Sequence, residues 1–147
     1  MKDLLKALRI QAVDSIPKLG GEKAVHLLPD ENVLPETTPF PCIGLKDGTI
    51  KNQYKVGATD AFLDVDIIGY VQVSRPEGVI IGDSQSMGIL DLMDAAKSAF
   101  KEFDPEGYQW IAPAGEIIEP GSQMMNAGPD RLIQKKKITM RWFKRQI

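Results

Sequence analysis

The chain has 147 residues, 43% of them apolar and 26% charged, with a formal net charge of -2. This is the length and composition of one globular domain able to bury a real core. No apolar run is long enough to cross a bilayer, the opening MKDLLKALRIQAVD lacks the apolar stretch of a secretory signal, and the lone Cys42 excludes an internal disulfide, which fits a reducing compartment.

Residues 2 to about 15 read as an amphipathic helix. Leu4, Leu5, Leu8 and Val13 share one side, with Ala12 beside them, and Lys2, Lys6 and Arg9 stay in water. Pro17 and Gly20-Gly21 end it. Ala24 to Leu28 is a short apolar run that suits a strand. Residues 29 to 41 (PDENVLPETTPFP) hold four prolines and read as an irregular connection, because proline fixes φ and removes a backbone donor. Cys42 to Leu45 reads as a strand entering the hairpin-turn dipeptide Asp47-Gly48, with Thr49 to Val56 returning as a weaker strand.

The cleanest strand pattern runs from Leu63 to Val73. Its odd positions are apolar or glycine, and its even positions include Asp64, Asp66, Tyr70 and Gln72, so one face is buried and the other polar. Ser74-Arg75-Pro76-Glu77-Gly78 breaks it, and Val79 to Ile81 is a short apolar link. Asp83 or Ser84 is placed to cap a helix that runs to about Phe103. Ile89, Met93, Ala96, Phe100 and Phe103 form its apolar stripe, with Asp91, Asp94, Lys97, Ser98 and Lys101 opposite. Asp104 to Gly107 is a turn. Tyr108 to Ile118 suits a kinked or bulged strand around Pro113-Ala114-Gly115. Residues 119 to 130 read as a loop with Met124 and Met125 at its centre, exposed unless a partner covers them. A basic strand over about 132–145 completes the chain. The order implies an α+β fold, two helices packed on one mostly antiparallel sheet in a single two-layer domain spanning 1–147.

Chemical motifs are sparse. A histidine-based zinc site draws several His or Cys, and this chain has only His26 and Cys42. Both sit among apolar neighbours and read as structural residues. Gly78, Gly82 and Gly88 lack the Gly-Lys-Ser/Thr of a phosphate loop. Asp64 and Asp66 share a strand face at about 6.5–7 Å, a spacing used by Mg²⁺-dependent nucleases. Asp91 and Asp94 lie one helical turn apart. The plainer reading is that basic neighbours satisfy these carboxylates, so no metal or cofactor is assigned.

Charge is unevenly distributed. Residues 61–130 hold twelve acids and three bases, whereas 131–147 hold seven bases and no acid. Lys135-Lys136-Lys137 leaves three readings open: phosphate neutralisation on nucleic acid, a lysine-rich edge strand that discourages sheet pairing, or a subunit interface between the acidic middle and the basic end. The interface candidates are Asp64, Asp66, Met124, Met125, Lys135, Lys137 and Arg141.

The layout of helix, Pro-rich connection, hairpin, long alternating strand, helix opening at Gly88-Ile89-Leu90-Asp91-Leu92, strand, loop and final basic strand resembles the tail terminator proteins of long-tailed bacteriophages. The resemblance implies a non-enzymatic virion protein of the tail or neck, assembled in the bacterial cytoplasm. It implies a homo-oligomeric ring, commonly a hexamer, that caps the tail tube and ends its polymerisation. The implied partners are further copies of itself, the tail tube protein, the head connector or neck protein and, in contractile tails, the sheath protein. DNA would only pass through the lumen. Another head–tail joining protein is the nearest alternative, and a small nucleic-acid-binding or Mg²⁺-dependent nuclease domain is a more distant one.

Overall fold

The computed structural model describes residues 1–16, 19–74, 76–83, 87–128 and 131–146. Pro17, Arg75 and Ser84, given roles above in ending or capping elements, lie outside these residues. Among the described residues the chain forms an α+β fold with three α-helices and one mixed sheet of six strands.

The first helix, α1 (Lys2–Ser15), buries Leu4, Leu8 and Ala12 completely. A single 3₁₀ turn, Gly21–Ala24, leads into β1 (Val25–Leu27), which pairs in parallel with β2 (Cys42–Lys55). β2 pairs antiparallel with β3 (Ala58–Gln72), and β3 pairs antiparallel with β6 (Leu132–Gln146). Two short strands, β4 (Gln109–Ile111) and β5 (Gln123–Asn126), lie along the other edge of β6. The sheet order is β1-β2-β3-β6-β4, with β5 also on β6.

The main core lies between α1, α3 (Ile89–Phe100) and the sheet face carrying Ile43, Leu45, Leu63, Val65, Ile67, Ile138 and Trp142. Each Leu or Ile fully buried there contributes about 1.5–3 kcal/mol by leaving water. Trp142 is the largest fully buried side chain. Its ring meets Phe100 edge-on at 6.5 Å, and its indole N–H donates to the Phe103 carbonyl at 2.9 Å. The apolar stripe read from the sequence for this helix is therefore the stripe that packs.

Several expectations need correction. Asp47-Gly48 is not a hairpin turn. β2 runs through it, with a register shift between Asp47 and Ile50, and the hairpin closes at Val56-Gly57. The physical reason is close approach: a Cβ on Gly48 would sit 2.7 Å from the Asp64 carbonyl oxygen, so glycine lets the bulged strand pass its neighbour. Gly57, at φ 80°, supplies the left-handed residue that the true turn needs. The link before α3 contains a short helix, α2 (Pro76–Ile81), in which Pro76 takes the first position, where its missing N–H costs nothing. α3 then starts later than expected, with Gly88, which has no side chain to offer, at its N-cap.

The stretch Tyr108 to Ile118 keeps strand pairing only over β4 and is irregular beyond Ile111. The expected loop 119–130 contains β5, because the β6 edge offers backbone partners at Leu132 to Lys135. Alternation on β5 then separates the two methionines. Met124 is exposed, whereas Met125 packs within the chain.

The polar face of β3 is polar over only part of its length. Ile68 and Tyr70 are fully buried there in a second cluster with Ala24, Leu28, Cys42 and Ile133. The Pro-rich connection covers them with Leu34 and Phe40. Tyr70 Oη donates to the Glu31 carbonyl at 2.6 Å and ties that cover down.

Candidate functional site

The sheet face opposite the helices is built by strand parity. On β3, Asp60, Phe62, Asp64 and Asp66 point to this face. Their direct partners on β6 are Arg145, Phe143, Arg141 and Thr139. Antiparallel pairing brings directly opposed Cβ atoms within about 4.5–5.5 Å, so acid meets base and ring meets ring.

Each rung of this ladder is closed. Arg141 Nε donates to Asp64 Oδ1 at 2.7 Å and its Nη2 to Oδ2 at 3.2 Å. Arg145 grips Asp60 in the same two-bonded way at 2.8 and 3.4 Å. Lys55 reaches across from β2 to the second Asp60 oxygen at 2.8 Å. Thr139 Oγ1 donates to Asp66 at 2.8 Å. Between the arginine rungs, Phe62 and Phe143 stack at a tilt with centroids 5.3 Å apart, and each carries a guanidinium over its ring. Asp60 is buried, and hydrogen bonds from Arg145 and then Lys55 hold its carboxyl down to about 2.

Further along β6, the lysines also find partners in the same chain. Lys135 is buried and bonds Asn32, with Glu31 at 3.8 Å. Lys137 lies 3.6 Å from the other Glu31 oxygen. Lys136 donates to the Pro120 carbonyl at 2.9 Å. Arg131 and Lys144 lie over the rings of Phe40 and Tyr108. All seven bases of the terminal segment therefore have a contact within the chain.

Of the sequence-derived candidates, the sheet brings Asp64 and Arg141 together as a pair. Asp66 lies beside them on Thr139. Lys135 and Lys137 converge on Glu31 and not on the β3 acids. Met124 stands apart on β5. Asp60, Arg145, Lys55 and Glu31 are the members that sequence reading missed. The period of two that selected Asp64 and Arg141 extends to Asp60 and Arg145, so that signal was present two rungs further out.

The acid/base and metal readings find little to build on. Asp64 and Asp66 are already engaged by Arg141 and Thr139. Among the described residues, no three His, Cys, Asp or Glu gather as a cation site. Asp91 and Asp94 are exposed on α3. Cys42 is buried and its thiol is pushed up to about 12 by desolvation, so it carries no nucleophilic thiolate at neutral pH. His26 sits on β1, where desolvation first and Arg9 second lower its pKa.

Two features of this surface stay open. Beyond its bulge, β2 runs on as an edge strand beside β3, with β6 on the other side of β3, and Ile50, Tyr54 and Val56 are exposed along it and at its turn. Its outer edge from Lys46 to Lys55 has no strand partner among the described residues. At the opposite edge of the sheet, β4 and β5 leave β6 without a strand partner over residues 136–140 among the described residues. Clefts of about 400 and 600 Å³ flank that gap, and both share Trp110, Pro113 and Ile117 as walls.

No protein-family model matches the chain, and no curated protein matches it either. Among the described residues no helix is long and apolar enough to cross a membrane.

Proposed function

We propose that this chain is a structural virion protein of the phage tail or neck, a tail terminator that assembles as a ring and caps the tail tube. The fold is read as two layers, helices over one mostly antiparallel sheet, in keeping with the resemblance in element order. The observation that carries the reading is the free edge of β2. An edge strand without a strand partner from Lys46 to Lys55 among the described residues, with Ile50, Tyr54 and Val56 in water, suits a surface that another protein covers. The closed charge ladder fits the same reading, because it ties β3 to β6 behind that edge and pairs four of the seven terminal bases with acids of the same chain.

The test is assembly on tail tubes. Mass photometry of the purified chain, alone and with tubes, should give a defined oligomer or recruitment to tube ends, and tubes polymerised in its presence should stop at a set length. A chain that stays monomeric and ignores the tubes would sink the proposal. Binding to the head connector without binding to tubes would favour another head–tail joining protein instead.

A further inference from the structure

One sealed polar atom has no part in the core, the charge ladder or the proposed assembly. His26 is the middle residue of β1. Its Nε2 is the one buried side-chain nitrogen or oxygen without a hydrogen-bond partner among the described residues. The ring as a whole is half-buried. A neutral imidazole carries one N–H, so its proton can sit on Nδ1 and leave Nε2 as an acceptor without a donor. A second proton has to go on Nε2. It would place a charged N–H at an atom that is sealed from solvent and offered no acceptor.

The surrounding charges do not relieve this. β1 packs against α1, the 3₁₀ turn and β2, and the Pro-rich connection shares the second cluster with its flanking Ala24 and Leu28. From α1, Arg9 opposes a charge on the ring, second in effect to the loss of water. The other charged residues on these elements are Lys2, Asp3, Lys6 and Asp14 of α1, Glu22 and Lys23 of the turn, Lys46 where β2 leaves β1, and Asp30, Glu31 and Glu36 of the connection. Among the described residues none of them pairs with His26, and Glu31 is taken by Lys135 and Lys137. We propose that His26 makes β1 an acid-released latch: a proton on Nε2 frees β1 from the sheet edge and uncovers β2 from Cys42 to Leu45.

The strand is placed to let go. It is three residues long, lies at the end of the sheet order, and holds β2 only over Ile43, Gly44 and Leu45, with Leu28 N–H adding one bond to the Leu45 carbonyl at 2.9 Å. Its release would join that stretch to the open edge from Lys46 to Lys55 and leave one unpaired strand edge along all of β2, while β3 and β6 stay paired. The fold lowers the His26 pKa below its ordinary 6.5, so the released ring takes the proton more readily. The latch is therefore whole above pH 6.5 and is lost as pH falls from there through the folded value. The released population rises about tenfold for each unit by which the two values differ. This window lies above that of Asp60, and the latch does not depend on whether the chain forms a ring.

Cys42 is a built-in reporter, since it is fully buried and adjoins the stretch that β1 covers. The full chain is labelled with 4,4′-dithiodipyridine, a thiol reagent that works in acid, at intervals from about pH 7.5 to 5. Wild type is compared with His26→Phe and His26→Gln, neither of which can take the proton, and the ratio of rates cancels the titration of the thiol itself. The ratio of wild type to each variant should be level above pH 7 and rise several-fold by pH 5. Hydrogen exchange over the same range should show protection lost at the Leu28 amide and along β1 in wild type alone, with β3 and β6 still protected. A ratio that stays level for both variants overturns the latch, as does an acid response that His26→Gln retains. Loss of protection spread equally over β3 and β6 would mean global unfolding and would overturn it too.

Discussion

Arg141 and Asp64 face each other directly across β6 and β3, and two hydrogen bonds of 2.7 and 3.2 Å close the guanidinium on the carboxylate. The half-exposed arginine limits what this pair contributes, because water screens it. A double-mutant cycle with Arg141→Ala and Asp64→Ala, read by urea unfolding, should give a coupling of about 0.5–1 kcal/mol at low salt. The coupling should shrink as salt is added. A value near zero at low salt would mean that the ladder adds order and no stability.

Asp60 makes stability sensitive to acid. Its carboxyl is held at about 2 in the fold against 3.8 unperturbed, with the Arg145 hydrogen bond first and Lys55 second among the causes. A depressed carboxyl pKa means that the unfolded chain binds the proton more readily. The stabilisation is therefore complete above pH 3.8 and is lost as pH falls from there through about 2. The stability difference between wild type and Asp60→Asn should be flat from neutral pH down to about that upper bound, then narrow. Acid titration followed by circular dichroism measures it. A difference that changes mainly between pH 5 and 8 would assign the effect to another group.

Gly48 should resist substitution although it is not in a turn. A Cβ there meets a backbone oxygen at 2.7 Å, and backbone moves less readily than a side-chain tip. Gly48→Ala should cost about 1–3 kcal/mol in urea melts. Gly121→Ala, with open space around the new Cβ, serves as the near-neutral control. Equal stability of the two variants would refute the close approach.

The same glycine marks where the sequence stops being legible. Asp-Gly between apolar runs signals a two-residue hairpin, and nothing local distinguishes a turn from a bulge that lets two strands approach. The deciding atom, the Asp64 carbonyl, lies sixteen residues away in the chain. Strand β5 was hidden for a similar reason, since Gln123–Asn126 has no alternating apolar pattern and forms because β6 leaves an edge to pair. The second cluster around Tyr70 was missed because its cover is a Pro-rich connection with no periodicity. What periodicity does report was legible: the stripes of α1 and α3, the long β3 and β6, and the parity that places Asp64 and Arg141 on one face. Which acid meets which base was not, because a register is set by pairing and turn closure.

Trp142 packs in the main core, where β6 meets α3. Trp142→Ala should lose about 3–5 kcal/mol, the usual cost of emptying a large buried aromatic site. Trp142→Phe keeps most of the packing but leaves the Phe103 carbonyl without its donor, which costs about 1–3 kcal/mol if water cannot reach it. Urea midpoints should therefore rank wild type, Phe, then Ala. A Phe variant as stable as wild type would show that the indole hydrogen bond is replaced by solvent.

The basic terminal strand decides one remaining alternative through its salt response. Each phosphate that a protein neutralises on duplex DNA adds about 0.9 to the slope of log affinity against log salt. A strand offering several free bases would give a steep slope. Here Lys135, Lys137, Arg141 and Arg145 are paired with acids of their own chain, which leaves Arg131, Lys136 and Lys144 to meet phosphates without breaking an ion pair. Fluorescence anisotropy with a labelled duplex should show weak binding with a slope magnitude of about 3 or less. Arg141→Glu should leave that slope unchanged while lowering stability, since it sets two acids opposite each other on β3 and β6. A steep slope that Arg141→Glu flattens would return the strand to nucleic acid, and with it a function other than capping a tail.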